Sequence, residues 1–363
     1  MRTIENAEAL PEADRADGCP HPREVYSLLG HEAAEARFLK AMRSGRMHHA
    51  WLLTGPKGIG KATLAYRMTR KLLGGQSLLS TSLDIPASDE IAQRIEALTH
   101  GNLFLLRRPY ETKLKRFRQD IPVDRVREVS GFFQETAAET GTWRVCIIDS
   151  ADELNRNSEN AILKLLEEPP NNTLFILISS APGLLLPTIR SRCMSLELRA
   201  ISDEAITDWL SEHGRGSPDL IDATVRLSRG APGKALALVQ NADVVLRSLS
   251  DYIQSLGRTA PDVDMTIAKR LAEKRNAISR DLFWDGLDDT LQAHAIFAAT
   301  GNYEGPFSPS ALKRSPKMWQ SNHARLVDVR RAESAINLDK TASMFELLSS
   351  ISCLLYTSPS PRD

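Results

Sequence analysis

The segment from Gly55 to Ala62, Gly-Pro-Lys-Gly-Ile-Gly-Lys-Ala, constrains the fold of this chain more than any other feature of its sequence. It matches the phosphate-loop pattern G-x-x-x-x-G-K-[ST] at every fixed position except the last. An apolar run at 50–54 precedes it, and 61–73 follows with apolar residues spaced three and four apart, as in an amphipathic helix. The sequence therefore predicts a strand, a phosphate loop and a helix in direct succession.

Three further apolar runs, at 103–106, 145–149 and 174–178, predict more strands. Segments with helical composition or periodicity alternate with them, at 25–42, 123–136 and 158–168. Alternation of this kind predicts a parallel sheet that is covered by helices on both faces. After residue 198 the strand-like runs stop, and the patterns are helical to about residue 350. The fold class is therefore α/β, followed by an all-helical region.

These patterns also predict how the chain divides. Residues 1–21 are rich in Glu, Asp, Ala and Pro without periodicity, which is typical of a disordered leader. The α/β domain spans 22–200, a small helical domain spans 201–243, and a larger helical domain spans 244–352. Residues 353–363 break with this pattern and resemble a translated sequencing adapter, or else a natural Ser/Pro-rich disordered tail.

The phosphate loop contains most of a nucleotide site but lacks one essential group. Gly55, Gly58 and Gly60 let successive backbone N–H groups point inward, and with the Lys61 ammonium they form a candidate cradle for phosphate oxygens. The position that should give a hydroxyl to Mg²⁺ is Ala62, whose methyl group cannot coordinate a metal. The next residue, a threonine, projects about 100° away around the helix.

The acidic motif that should support the metal is also incomplete. Asp149 ends an apolar strand, as a Walker B aspartate does, but Ser150 follows it and has no carboxylate to orient a water molecule. Asp152 and Glu153 could assist only if their loop folds back. We therefore expect no ATP hydrolysis. Weak ATP binding stays open, as does a loop kept only for the fold, in which Lys61 pairs with a carboxylate such as Asp149.

The overall composition indicates a multidomain globular protein without a strong charge bias. Apolar residues make up 42% and charged residues 25%, with equal numbers of acids and bases, so contact with a polyanion would need a local patch. The four cysteines form no C-x-x-C pair, which argues against zinc. The start of the chain lacks a secretory signal, and no run approaches about 18 apolar residues. We expect a cytoplasmic protein without membrane contact.

A basic cluster lies between the second and third predicted strands. It comprises Arg107, Arg108 and residues 113–118, which read K-L-K-R-F-R. Such cations can contact a phosphate backbone, and the helix that starts near residue 121 adds an N-terminus beside them. We expect this cluster to face DNA or a partner protein. A solvated basic loop is the alternative.

Three strings carry a family resemblance. Residues 160–169 read N-A-I-L-K-L-L-E-E-P, residues 174–180 read L-F-I-L-I-S-S, and residues 188–193 read T-I-R-S-R-C. In this order they resemble the clamp-loader AAA+ family, whose hallmarks include an N-A-L-L-K-x-L-E-E-P helix and an S-R-C motif. The resemblance extends to 44–50 and 121–127 and covers roughly residues 20–240. It implies a RecA-like AAA+ domain, a helical lid at 201–243 and a helical collar beyond.

Within that family the degenerate phosphate loop is similar to that of the delta-prime branch, not to that of the motor branch, gamma/tau. Motor subunits carry a sensor arginine at the start of a lid helix, where this chain has Gly233, with Lys234 one residue displaced. Family members commonly carry four zinc cysteines after the phosphate-loop helix, but residues 74–102 contain none. The resemblance therefore implies neither a motor nor a zinc module.

By the same resemblance, Arg192 of the S-R-C motif is an arginine finger that acts in trans at a neighbouring motor subunit. A guanidinium can stabilise the negative charge of a transferring phosphoryl group. Arg190, two residues earlier, is expected to be structural or exposed. An ordinary helix-end arginine paired with an acidic side chain is the alternative interpretation of Arg192.

The implied function is a stator of the DNA polymerase III clamp loader, a chain that is itself neither a polymerase nor an active ATPase. Its implied partners are the gamma/tau and delta subunits, the sliding clamp and primer-template DNA. Two other hypotheses stay open. One is an active AAA+ ATPase, a gamma/tau-like motor or a helicase loader, in which Thr63 and Asp152 replace the missing groups. The other is an interaction scaffold whose phosphate loop and Arg192 are relics.

Overall fold

The computed structural model describes residues 11–15, 19–74, 81–134, 142–256, 260–303, 305, 307, 315–336 and 339–356. The chain forms two units. The first consists of Met1–Ile201 and Ala231–Lys234, and the second of Ser202–Gly230 and Ala235–Asp363. Within the described ranges, no helix is both long and apolar enough to cross a membrane.

The first unit is built on a five-stranded parallel sheet. Its elements in chain order are α1 (Glu32–Arg43), β1 (Ala50–Thr54), α2 (Lys61–Leu73), α3 (Glu90–Glu96), β2 (Leu103–Leu106), β3 (Tyr110–Glu111), β4 (Arg116–Phe117), α4 (Val123–Gln134), β5 (Arg144–Ile148), α5 (Arg156–Glu167), β6 (Thr173–Ser179), α6 (Pro187–Ser191) and β7 (Met194–Glu197). The strand order is β2-β5-β6-β1-β7, while β3 and β4 form a separate antiparallel hairpin. The predicted parallel α/β fold is confirmed.

Helices cover both faces of the sheet because alternate side chains of each strand enter two different cores. In β5, Val145 and Ile147 pack on the side of α1, α2 and α3, whereas Cys146 and Ile148 pack on the side of α4 and α5. β1 and β6 alternate in the same way. All residues of these three strands are buried, as the continuous apolar runs predicted.

The helix predicted from residue 25 begins only at residue 32. Gly30 and His31 both have φ near +70°, so the backbone there cannot continue a right-handed helix. The segment before Gly30 is held by α2, because the buried Arg67 and Arg70 donate to the carbonyl oxygens of Tyr26 and Val25. These tertiary contacts keep the segment extended despite its helical composition.

Part of the predicted leader carries well-defined contacts. The Asp14 carboxylate is fully buried, pairs with Arg107, and lies 3.2 Å from His21. Glu12 accepts from both arms of Arg23, at 2.7 and 2.9 Å, and pairs with Arg107 at 3.0 Å. This cluster, hereafter the leader network, ties residues 12–14 to the residue that follows β2. The rest of the leader, 1–10 and 16–18, lies outside the described residues.

The second unit is helical in its described parts. The remaining helices are α7 (Asp203–Glu212), α8 (Pro218–Ser228), α9 (Pro232–Gln240), α10 (Ala242–Ser255), α11 (Pro261–Ala272), α12 (Ala277–Thr300), α13 (Pro316–Ile336) and α14 (Lys340–Tyr356). α12 packs against α10 and α13, and α11 against α14. The division into a lid at 201–243 and a collar at 244–352 stays a prediction. Of the predicted tail, residues 353–356 belong to α14, and 357–363 lie outside the described residues.

Candidate functional site

The phosphate loop, residues 55–60, connects β1 to α2 and is packed tightly by its neighbours. Gly58 has φ of +80°, and a Cβ atom there would lie 2.8 Å from the backbone nitrogen of Lys234. The Gly233 N–H donates a 2.9 Å hydrogen bond to the Gly58 carbonyl oxygen. Gly233 and Lys234, which belong to the first unit, therefore lie directly on the loop, and a side chain at position 58 would displace them.

Lys61 is held by its own chain. Its ammonium donates to the carbonyl oxygens of Gly55 and Pro56, both at 2.7 Å, and to the hydroxyl of Ser180 at 2.9 Å. An ammonium has three protons, so each has a partner. Burial lowers the pKa of Lys61 to about 8, although the charge of Asp149 opposes this shift. The structure thus gives Lys61 carbonyl and hydroxyl partners, where the sequence suggested an ion pair with Asp149.

Asp152 does fold back toward the loop, but its oxygens are already engaged. They accept from the Ser179 hydroxyl at 2.5 Å, the Ser180 N–H at 2.6 Å and the Ala181 N–H at 3.3 Å. Asp152 therefore fixes the end of β6 and, through Ser180, the partner of Lys61. Glu153 is paired with Arg108 at 2.8 Å. These contacts favour a structural role for both carboxylates over the orientation of a water molecule.

Asp149 lies at the end of β5 among groups that disfavour its charge. Its pKa is raised to about 7, first by burial and then by the charges of Asp14 and Glu153, while the charges of Lys61 and Arg107 oppose the rise. A metal-binding aspartate needs to be ionised. At neutral pH this carboxyl group is therefore protonated in a large fraction of the molecules. This is a third obstacle to metal binding and hydrolysis, beside the missing hydroxyl at Ala62 and the missing carboxylate at Ser150.

We expect Asp149→Asn to stabilise the protein, because the unfolded chain ionises this group far more readily than the folded one does. The pKa is raised on folding, so the favourable contribution of Asp149 is complete below its usual value of 3.8 and is lost as the pH rises to about 7. The substitution removes this loss, which is about 4 kcal/mol at pH 8 for a shift of about three pKa units, and should increase the free energy of unfolding by up to that amount at pH 8 and hardly at pH 4.

Urea unfolding at the two pH values measures this difference. Asp124→Asn is the matched control, because the side chain of Asp124 is 79% exposed and should show no pH-dependent gain. A lower stability of Asp149→Asn at pH 8 would show that the carboxylate is favourable where it stands.

Arg192 lies at the end of α6 and is far from the phosphate loop in the sequence. Its side chain and the start of α6 both contact α5. Its Nη2 lies 2.9 Å from a carboxylate oxygen of Glu167, the last residue of α5, and its Nη1 donates to the Thr188 carbonyl at 3.0 Å. At the other end of α6, the buried Glu159 accepts from the Leu186 N–H at 3.2 Å. The Arg192 side chain keeps 36% of its surface exposed. An ion pair was the alternative expected for this arginine, and it coexists with this exposure.

The basic cluster forms the β3–β4 hairpin and its approaches. Tyr110 and Phe117 face each other across the hairpin in an edge-on contact at 5.2 Å between ring centroids. At its tip, Leu114 is 58% exposed between Lys113 and Lys115, which are both exposed. Of the other cations, Arg107 is used by the leader network, Arg108 pairs with Glu153 and Arg118 lies 3.6 Å from Glu111, whereas Arg116 of β4 is exposed. The hairpin therefore presents Lys113, Lys115 and Arg116 as its accessible cations.

Sequence reasoning missed three residues that determine this site: Asp14, Glu167 and Ser180. Asp14 was assigned to a disordered leader, and Ser180 was seen only as the end of a strand. Glu167 was part of the N-A-I-L-K-L-L-E-E-P string, and the consecutive glutamates at a helix end were the one available signal.

Comparisons with known proteins find relatives among the subunits of bacterial DNA polymerase III. Residues 30–202 match the family model described as DNA polymerase III, delta subunit. The chain is 30% identical over 291 residues to DNA polymerase III subunit delta' of Pseudomonas aeruginosa, which covers 80% of this chain and 81% of that protein. It is 32% identical over 272 residues to the delta' subunit of Escherichia coli, covering 74% and 78%. A solved gamma subunit-related protein of Thermotoga maritima is 16% identical, with a TM-score of 0.43, and covers 88% of this chain and 99% of that chain.

Proposed function

Because the chain belongs to the family of DNA polymerase III delta-prime subunits and so has a clamp-loader role, we propose that it is the stator of its loader. It supplies Arg192 in trans to the ATP site of a neighbouring gamma/tau subunit and hydrolyses no ATP itself. Its partners are gamma/tau and delta, and the assembly places a sliding clamp on primer-template DNA in the cytoplasm.

The observation that carries this proposal is the placement of Arg192. Its guanidinium is 36% exposed at the end of the five-residue α6, and Glu159 of α5 accepts from the Leu186 N–H at the start of that helix. An arginine used in trans must have an accessible side chain on a fixed backbone, since stabilisation of a transition state depends on donors that need little rearrangement. Two observations support the proposed absence of ATP hydrolysis. Lys61 already donates three hydrogen bonds within its own chain, and the pKa of Asp149 is raised.

Reconstitution of the loader from this chain with gamma/tau and delta tests the proposal. ATP turnover is measured for the isolated chain and for assemblies that contain the wild-type or the Arg192→Ala chain. We expect no turnover by the isolated chain and a loss of turnover on assembly with Arg192→Ala. Hydrolysis by the isolated chain that Lys61→Ala abolishes would establish an active ATPase instead. Turnover that Arg192→Ala leaves unchanged would establish a scaffold.

The hairpin tip supports a contact with the phosphate backbone of DNA. Lys115→Ala combined with Arg116→Ala is expected to reduce the slope of log K against log salt concentration for primer-template binding by the assembled loader by about 2, because each phosphate contact contributes about 0.9. Titrations at four salt concentrations measure this slope. Arg226→Ala combined with Arg275→Ala removes the same charge from exposed helical positions of the second unit and serves as the control. An unchanged slope in the hairpin variant would remove this contact from the proposal.

A further inference from the structure

The two glutamates that end α5 are not explained by the stability of that helix. Glu167 is its last residue and Glu168 caps it, so both carboxylates stand where the unpaired helix carbonyls carry partial negative charge. Acidic side chains are unfavourable at this end of a helix. Glu167 has a compensating partner in Arg192, at 2.9 Å, whereas Glu168 has no ion pair within the described part of the chain.

The contact between Glu167 and Arg192 is strong enough to orient the guanidinium and weak enough to be exchanged. The two side chains are 43% and 36% exposed, and ion pairs with this exposure are screened by water. Carboxylate and phosphate bind the same edges of a guanidinium. A phosphate of a neighbouring subunit that approaches Arg192 therefore meets the Glu167 carboxylate. This carboxylate already binds the guanidinium, and it repels the negative charge of the phosphate.

We propose that Glu167 is a positioning residue that competes with the neighbouring subunit's nucleotide for Arg192. In the absence of a phosphate, Glu167 keeps the guanidinium on its own subunit, against the end of α5. When a nucleoside triphosphate occupies the adjacent site, its phosphate displaces the carboxylate and takes over Arg192. This inference rests on the proposed role of Arg192 in trans and adds that the availability of Arg192 is set within its own chain.

The loader reconstituted with Glu167→Gln tests this competition, because glutamine has the shape of glutamate without its charge. We expect the ATP concentration at half-maximal turnover to fall two- to fivefold, about the contribution of an exposed ion pair, while maximal turnover stays within twofold. Glu168→Gln is the matched control and should behave as the wild type. An unchanged half-saturating concentration in Glu167→Gln would overturn the proposal. A fall in maximal turnover would also overturn it, since Glu167 would then prepare Arg192 for catalysis.

A measurement on the isolated chain separates this inference from the proposed function. The side-chain Nε–H resonance of Arg192, assigned by its loss in Arg192→Ala, is titrated with inorganic triphosphate. We expect the midpoint in Glu167→Gln to be two- to fivefold lower than in the wild type. Equal midpoints would refute the competition even if Arg192→Ala lowers turnover in the loader. A shifted midpoint with full turnover by Arg192→Ala would refute the role in trans and with it the competition with the neighbour's nucleotide, although it would show that a phosphate displaces Glu167 from Arg192.

Discussion

Replacement of Arg192 by alanine is expected to reduce turnover at the ATP site that we propose this chain completes by about 10³-fold. As the terminal phosphoryl group leaves, negative charge spreads over its oxygens, and a guanidinium from outside the site stabilises that charge more than it stabilises the bound ATP. Alanine removes the whole interaction. Lysine keeps a positive charge but lacks the planar fork, so Arg192→Lys should recover only part of the rate. Steady-state turnover by the reconstituted loader at saturating ATP measures both effects.

Arg190→Ala is the control for this experiment. Arg190 is exposed, belongs to the same short helix and carries the same charge, so a general change in net charge or in α6 would affect both variants. We expect wild-type turnover from Arg190→Ala. Equal losses in the two variants would assign the effect to the surface charge of α6 and would remove the specific role of Arg192.

Arg107→Ala is expected to lower the free energy of unfolding of the first unit by about 3 kcal/mol, because it leaves a buried carboxylate without its main counter-ion. The Asp14 side chain is fully buried, and of its partners among the described residues His21, at 3.2 Å, would remain to compensate it. In the variant, residues 11–15 can detach from the rest of the first unit. The loss of unfolding free energy therefore cannot exceed the free energy with which these residues bind there. Urea unfolding at pH 7 measures it. Arg127→Ala is the control, because that arginine and its partner are 73% and 79% exposed and should contribute within about 0.5 kcal/mol.

The pH dependence of this loss identifies its source. Burial alone would raise the pKa of Asp14, but the hydrogen bond with His21 and the charge of Arg107 outweigh burial, and the pKa lies below its usual value of 3.8. A lowered pKa means that the contribution is present above 3.8 and is lost as the pH falls through the folded-state value. The difference between wild type and Arg107→Ala should therefore be full at pH 7 and shrink below pH 4. A difference that is constant with pH would assign the effect to the packing of the Arg107 side chain.

The parts of the fold that the sequence predicted correctly are those with local patterns. The fully buried strands β1, β5 and β6 are continuous apolar runs, and the phosphate loop is a short motif of fixed spacing. The β3–β4 hairpin has strands of two residues, too short for any alternation to show. The predicted helix at 25–42 began too early because Arg67 and Arg70, about 40 residues later, hold the backbone of that segment.

The candidate site shows the same limit. The phosphate loop with Gly55, Gly58, Gly60 and Lys61 follows β1, and Asp149 follows β5. Both therefore lie at the carboxyl edge of the parallel sheet, with β6 between the two strands. Asp14 and Arg107 are 93 positions apart, and Glu167 and Arg192 belong to different helices. Single charged residues at such separations leave no periodic signal. The hydrogen bonds that occupy Lys61 could not be predicted from the sequence either, because two of their acceptors are backbone carbonyl oxygens, which every residue possesses.

The saturated hydrogen bonds of Lys61 have a consequence for the behaviour of this subunit through repeated rounds of loading. A nucleotide phosphate could reach the Lys61 ammonium only by displacing the carbonyl oxygens of Gly55 and Pro56 or the hydroxyl of Ser180, which accept its hydrogen bonds. A ligand shifts an equilibrium only through different affinities for two states, so we expect the proposed stator to keep one conformation as ATP levels vary. It would offer its moving neighbours one constant surface.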